Sequence, residues 1–207
     1  YIGLFFVIGN LAEKYLKSKP FKKIAFGLLG LVTVFFSICT YSRTKVWKDS
    51  FSFWGDVAKK NPDYWRAHNC VGEEYEKAGQ MEKATESYTN AFLKDKWAPP
   101  IPYMHLGALY IDHYKDYDKA IGIYKKVLTF PNKQDQSQVA GRHNLGLAYY
   151  RKGDNRNAIS VLSESISLSP NHPKGYFLRG LAFNASGEIE KAILDYTKSI
   201  SIDPDYV

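Results

Sequence analysis

The sequence predicts an all-α protein: a transmembrane helix, or a helical hairpin, followed by a superhelical solenoid of paired helices. Three observations carry this. Residues 24–42, "IAFGLLGLVTVFFSICTYS", hold no charge between Lys23 and Arg43. Beyond residue 60 a glycine–aromatic–alanine pattern recurs at spacings of 34 to 39 residues. The charge is also divided: residues 1–48 carry eight Lys or Arg against one acid, Glu13, while residues 49–207 carry twenty of each sign.

The apolar run comes first in the argument. Nineteen uncharged residues at about 1.5 Å rise per residue give roughly 28 Å of helix, near the thickness of a bilayer's hydrocarbon core. Its polar residues are Thr33, Ser37, Thr40 and Ser42, too few for the polar stripe of a soluble helix. Phe21, Lys22 and Lys23 stand at one end and Tyr41 and Trp47 near the other, as suits two membrane interfaces. Tyr1 to Ala12 is apolar and reads as the end of a preceding span. No charged segment precedes it, so it is not a signal peptide, and the chain is expected to be part of a longer membrane protein. The connection "EKYLKSKPFKK" carries five lysines against Arg43, Lys45 and Lys48 on the far side. Lysine excess marks the cytoplasmic side, which sends the rest of the chain to an extracytoplasmic compartment, periplasm or lumen.

The net charge of +7 therefore flanks the apolar segments instead of forming a basic face on the soluble part, so no nucleic-acid partner is expected. Cys39 and Cys70 form neither a disulfide framework nor a metal spacing and read as small buried hydrophobes.

The expected organisation is a membrane segment over residues 1–44, a bridging half-repeat helix over 45–64 and four repeats over about 65–99, 100–138, 139–172 and 173–207. In the bridge, "VWKDSFSFWGDVAKKNPD", Trp54 falls where Tyr88 and Leu162 fall in later pairs, and Pro62 closes the unit. The membrane helix, or its extension, is expected to stand in for the missing first helix, which would join the solenoid stiffly to the membrane. In the repeats Gly72/Tyr75, Gly107/Tyr110, Gly146/Tyr149 and Gly180/Phe183 are followed by Ala84/Tyr88, Ala120/Tyr124, Ala158/Leu162 and Ala192/Tyr196. Small residues permit two helices to cross closely, and the aromatics fill the space between one pair and the next. Gly79, Gly153 and Gly187 supply the left-handed residue that ends the first helix of a pair. The second pair has "HYKDYD" there, one residue longer. Pro170 and Pro204 close pairs in register, Pro131 is one residue early and Pro99 follows an irregular "KDKWAPP". The extra length between the second and third glycines falls in "PNKQDQSQ".

This pattern resembles the tetratricopeptide repeat (TPR), a 34-residue pair of antiparallel helices. A solenoid needs a polar cap, and "DPDYV" provides none, so more repeats or a cap are expected to follow. No P-loop, GxSxG, HExxH or paired-cysteine motif is present. His68, His105, His113, His143 and His172 lack ligand spacing, so no catalytic residue, metal or cofactor is expected. The acid clusters "GEEYE" and "DHYKDYD" read as solvated faces and turns, and "NAS" at Asn184 is a glycosylation sequon that matters only in a eukaryotic lumen.

What remains is a concave surface lined by the first helices. Register assigns it Arg66, Asn69, Glu73 and Lys77; then Met104, Ala108 and Ile111; then His143, Leu147, Tyr150 and Arg151; then Lys174, Phe177, Leu181 and Asn184. It is polar at one end and apolar in the middle, which suits a protein or peptide partner such as an amphipathic helix, or equally a cap helix of the same protein. The Lys-and-Asn carboxylate clamp of chaperone-binding TPR domains is not matched. Apolar spans, the bridge and then TPRs together resemble the transmembrane-and-TPR membrane proteins, whose membrane part is of glycosyltransferase C type. That resemblance implies sugar transfer from a lipid-linked donor, extracytoplasmic repeats and catalytic acids in loops outside this chain. Two readings follow: a membrane-anchored TPR interaction scaffold, or the acceptor-binding part of a membrane glycosyltransferase.

Overall fold

The computed structural model describes residues 19–94, 99–131 and 136–205. The expected first span (1–12) and residues 13–18 of the lysine-rich connection lie outside these residues; the rest of that connection, 19–23, opens the first helix instead of forming a loop. Among the described residues there are ten α-helices and no strand. They are α1 (Lys19–Val46), α2 (Ser50–Lys60), α3 (Trp65–Lys77), α4 (Met81–Lys94), α5 (Ile101–Asp112), α6 (Tyr117–Val127), α7 (Gln136–Lys152), α8 (Asn155–Leu168), α9 (Pro173–Ala185) and α10 (Ile189–Ile202). The chain divides into two units between Phe53 and Trp54, within α2.

In the first unit, α1 is 28 residues long and its stretch Phe26–Thr44 is long and apolar enough to cross a membrane. Every described side chain of that stretch is exposed, including Phe35, Phe36 and Ile38. Two of its hydroxyls turn back on the helix: Thr33 Oγ1 donates to the Leu29 and Gly30 carbonyls and Thr44 Oγ1 to that of Tyr41. Such internal bonds satisfy those two donors without a partner outside the helix. Arg43 stands 5.9 Å from the Trp47 ring centre. The Asp49 carboxylate accepts from the Ser52 amide at 2.7 Å and starts α2.

The second unit is a stack of helix pairs, α3–α4, α5–α6, α7–α8 and α9–α10, each packed on the next. The first helices α5, α7 and α9 also touch in series. One relation recurs in every pair. A Cβ on Gly72, Gly107, Gly146 or Gly180 would stand 2.6, 2.5, 2.5 or 2.7 Å from the side chain of Tyr88, Tyr124, Leu162 or Tyr196. The glycine thus makes room for a large side chain of its own pair, rather than for the partner helix's backbone. The rings also reach the next pair, as expected: Tyr88 clusters with Leu106 and Leu109, and Tyr124 with Leu145 and Ala148. Tyr88, Tyr124 and Leu162 are wholly buried, as are Ala84, Ala120 and Ala158 one turn before them. Burying each large side chain contributes about 1.5–3 kcal/mol.

The turns follow the sequence expectation. Gly79, Gly153 and Gly187 have φ of 72°, 87° and 79°. The amides after them reach back to the carbonyls of Tyr75, Tyr149 and Phe183, all at 2.9 Å, closing the helix ends. In the longer second turn Lys115 takes the left-handed position at φ 55°, and the Asp116 amide reaches the Tyr110 carbonyl at 2.9 Å. Asp116 and Asp154 then cap α6 and α8 through the Lys119 and Asn157 amides. The segment "PNKQDQSQ" is only partly loop. Residues 136–138 join α7, and Gln138, 1% exposed, donates to the Val127 and Phe130 carbonyls at 3.1 and 3.0 Å.

Candidate functional site

A cavity of about 710 Å³ opens along the row of first helices. Its wall is Glu73, Glu76 and Lys77 of α3, Met104, His105 and Ala108 of α5, and Asn144 of α7. Two carboxylates at its acidic end are held in place. Glu73 Oε1 accepts from Asn69 Nδ2 at 2.7 Å and lies 3.7 Å from His105 Nδ1. Glu76 Oε2 accepts from the Tyr88 hydroxyl at 2.7 Å. Burial and that carboxylate together push the Tyr88 phenol well above the ordinary tyrosine range. Tyr88 also meets the His105 ring edge-on, with centroids 5.1 Å apart. Lys77 turns to Glu74 at 2.9 Å, away from both groove carboxylates.

Beyond Asn144 lies a cation. Lys174 Nζ of α9 stands 3.4 Å from Asn144 Oδ1. The ammonium is partly desolvated, and burial pulls it below the ordinary lysine range. Among the described residues no carboxylate lies within ion-pair distance of it. A half-buried cation whose partner is one amide oxygen is poorly compensated, because desolvation weakens its hydration without supplying a countercharge. The chemistry that answers it is a carboxylate or another anionic group. A hydrogen bond to a charged group contributes about 1.5–3 kcal/mol.

The structure separates the expected groove residues into four sets. Glu73, Lys77, Met104 and Ala108 line the cavity, and Lys174 adjoins its Asn144 wall. Arg66, Arg151 and Asn184 are exposed. Asn69, Ile111 and His143 are corrected: they are 4, 3 and 2% exposed and offer no open surface. Ile111 belongs to the core with Tyr124 and Leu145. His143 lies in the seam where α7 meets α9, with the His172 ring 4.8 Å away and Gly175 against it. That seam is the physical reason for His143, since α7 and α9 touch there, while Asn69 is held against Glu73 of its own helix. Burial holds the His143 imidazole neutral, its pKa pushed down to about 3, with His172 and Lys174 adding to the effect. Leu147, Tyr150, Phe177 and Leu181 are half-buried and pack against the cluster of Ala158, Leu162, Leu178 and Ala182.

Sequence reasoning missed Glu76, His105 and Asn144. The signal was there for two of them: His105 and Asn144 each stand two residues before a crossing glycine, a row that faces the groove between touching helices.

Comparison with known proteins agrees with this architecture. Sequence models of the tetratricopeptide repeat match residues 140–172 and 173–206. A curated Bos taurus protein, BBSome complex member BBS4, is 26% identical over 149 residues, which is 72% of this chain. The match covers 27% of that relative, so the chain spans about a quarter of its length. Among solved structures, PilW, described as a widely conserved type IV pilus biogenesis factor, superposes with a TM-score of 0.68 at 17% identity, over 82% of this chain and 76% of its own. MamA gives 0.65 at 22% identity, over 79% and 93%. YrrB, described as a TPR protein with an unusual peptide-binding site, gives 0.62 at 17% identity, over 83% and 84%. These likenesses are likenesses of fold.

Proposed function

We propose that the chain is a membrane-anchored TPR scaffold that holds a segment of a partner protein along its concave face. The observation that carries this reading is the Lys174–Asn144 corner, a half-buried ammonium without a carboxylate, beside an open cavity on the first-helix row. The partner segment sets an acidic group at that corner and passes Met104 and Ala108 towards Glu73 and Glu76. Charge fixes its direction more than its affinity. YrrB, a TPR protein with an unusual peptide-binding site, supports the same use of the fold. The anchor is α1, supported by its length and by its exposed apolar surface. The lysine excess before it supports an extracytoplasmic repeat domain. The acceptor-binding reading, in which this groove presents a polypeptide to a membrane glycosyltransferase, rests on the bridge sequence and would use the same contacts.

The test is a photo-crosslinking amino acid at Ala108, in cells producing the chain. A polypeptide adduct is expected, reduced roughly tenfold by Lys174→Glu, about 1.4 kcal/mol of binding. No adduct, or one indifferent to Lys174, overturns the proposal.

A further inference from the structure

Glu73 and Glu76 form a cup of acceptors at the α3 end of the groove, and the groups around it leave it short of donors. Tyr88 gives Glu76 one hydrogen bond at Oε2, and burial keeps that phenol protonated. Asn69 gives Glu73 one through Nδ2. His105 Nδ1, 3.7 Å from Glu73 Oε1, is beyond hydrogen-bond length. Lys77 is taken by Glu74. Among the described residues neither carboxylate has a lysine or arginine within ion-pair distance. A second observation is independent of the carboxylates. Asn69 is 4% exposed, and its Oδ1 is buried without a hydrogen-bond partner. Its side chain reaches the cup, since Nδ2 is fixed on Glu73 Oε1. Buried acceptors are paired with few exceptions, and an unpaired one beside two carboxylates calls for a donor that carries positive charge. The described residues include no group of three His, Cys, Asp or Glu fit to hold a metal ion. An organic cation with several N–H groups matches acceptors spaced four and three residues apart on one helix face.

We infer that this cup takes a cationic side chain, the guanidinium of arginine or the ammonium of lysine, from the partner segment held along the groove. The inference rests on the function proposed above and gives that segment its second charge. A base stands at Glu73 and Glu76, an acid at Lys174, and small or apolar residues between them pass Met104 and Ala108. Two helix spacings of about 8–10 Å separate α3 from α7, so about five or six extended residues at roughly 3.3 Å each join the two charges. This placement of charge selects a partner segment over a further helix of the same chain. Repeats that follow α10 stack on the fourth pair, whereas the cup belongs to the first. A helix arriving from that end would have to run back across three pairs with its charges in this order.

The probe is a labelled heptapeptide amide with arginine at one end, glutamate at the other, a central leucine and alanine elsewhere, made in both orders. It is titrated against the intact chain in detergent micelles, beside a peptide with citrulline, the neutral isostere, in place of arginine. One order is expected to bind, at least roughly tenfold tighter with arginine than with citrulline. Glu73→Gln with Glu76→Gln should erase that preference, whereas Lys174→Glu should weaken both peptides and keep it. The two glutamines retain acceptors for Asn69 and Tyr88, so the fold should be preserved. Glu73→Gln alone, at a side chain 38% exposed, should reduce the preference about threefold and keeps the test readable if the double variant folds poorly. No binding in either order, equal binding of the citrulline peptide, or a preference that survives the glutamines overturns the inference. A fall in melting temperature in Glu73→Gln would mean that the chain fills the cup itself, and overturns it too. The two readings fail separately: binding that depends on Lys174 but not on arginine removes the cup and leaves the scaffold, while binding indifferent to Lys174 as well removes both.

Discussion

Arg179 and Asp195 join α9 to α10 through two parallel hydrogen bonds, Nε to Oδ2 at 2.7 Å and Nη2 to Oδ1 at 2.8 Å. The third guanidinium nitrogen, Nη1, donates to Ser163 Oγ of α8 at 3.0 Å, so one side chain ties three helices. The Asp195 side chain is 8% exposed and that of Arg179 20%. Removing one partner leaves the other charge buried. Asp195→Ala is therefore expected to destabilise the repeat domain by about 3–5 kcal/mol. Arg179→Lys keeps the charge but loses the fork, and should recover only part of the loss. Urea unfolding followed by circular dichroism checks both, and an Asp195→Ala protein as stable as the parent would refute the assignment.

The glycines separate by what stands over them. Gly146→Ala would put a Cβ 2.5 Å from Leu162 Cγ and should cost about 1–3 kcal/mol. Gly122, inside α6, has nothing within 4 Å of an added Cβ. Gly122→Ala should stabilise by about 0.5–1 kcal/mol through helix propensity. Opposite shifts in thermal midpoint are the expected result.

Burial of His143 makes stability depend on pH. Its folded pKa, about 3, lies below the ordinary histidine value of 6.5. Between those values the unfolded chain binds the proton and the folded one does not, so this contribution is complete above 6.5 and is lost as pH falls below it. At pH 4.5 the loss is about 2–3 kcal/mol. His172 and Lys174, the groups that face it, add positive charge and act in the same direction. Comparing the chain with His143→Gln by urea titration at pH 7 and pH 4.5 isolates the effect. Equal pH slopes in the two proteins would rule it out.

Tyr150 and Phe177 were expected on the groove as anchors for a partner. Their packing on the α8–α9 cluster changes the expectation. Tyr150→Ala with Phe177→Ala should lower the melting temperature, with several kcal/mol lost. Lys174→Glu should leave it nearly unchanged while weakening the partner. Melting curves beside crosslinking yields distinguish core residues from contact residues.

The proposed extracytoplasmic placement of the repeats rests on the lysine count. In a background with Cys39 and Cys70 replaced, a cysteine at Ser18 should be shielded from an impermeant thiol reagent in intact cells, and one at exposed Lys125 should react. The reverse pattern would put the repeats in the cytoplasm.

The helix pairs were legible because their spacing is imposed by local sterics. A glycine must face each large second-helix side chain, and a left-handed residue must end each first helix. Both leave a residue-type signature. The left-handed place at Lys115 was not legible, since a non-glycine residue there carries no such mark. Nor was the addition of residues 136–138 to α7, which depends on Gln138 finding two distant carbonyls. The groove was only half legible. Repeat register places a residue on the inner side of a first helix, but whether it meets solvent depends on how closely the next helix approaches. That approach buries His143 and leaves Asn144, its neighbour in sequence, on the wall.

Each crossing glycine receives a side chain only 16 or 17 residues further along its own pair. The principal packing of the stack is therefore written in short sequence separations. Chains with such low contact order fold in microseconds to milliseconds, and a unit can be gained or lost without rewiring its neighbours. The length of the array is thus an adjustable quantity. A lineage could lengthen or shorten the reach of this domain by one repeat in a single genetic event, keeping every glycine–ring pair intact.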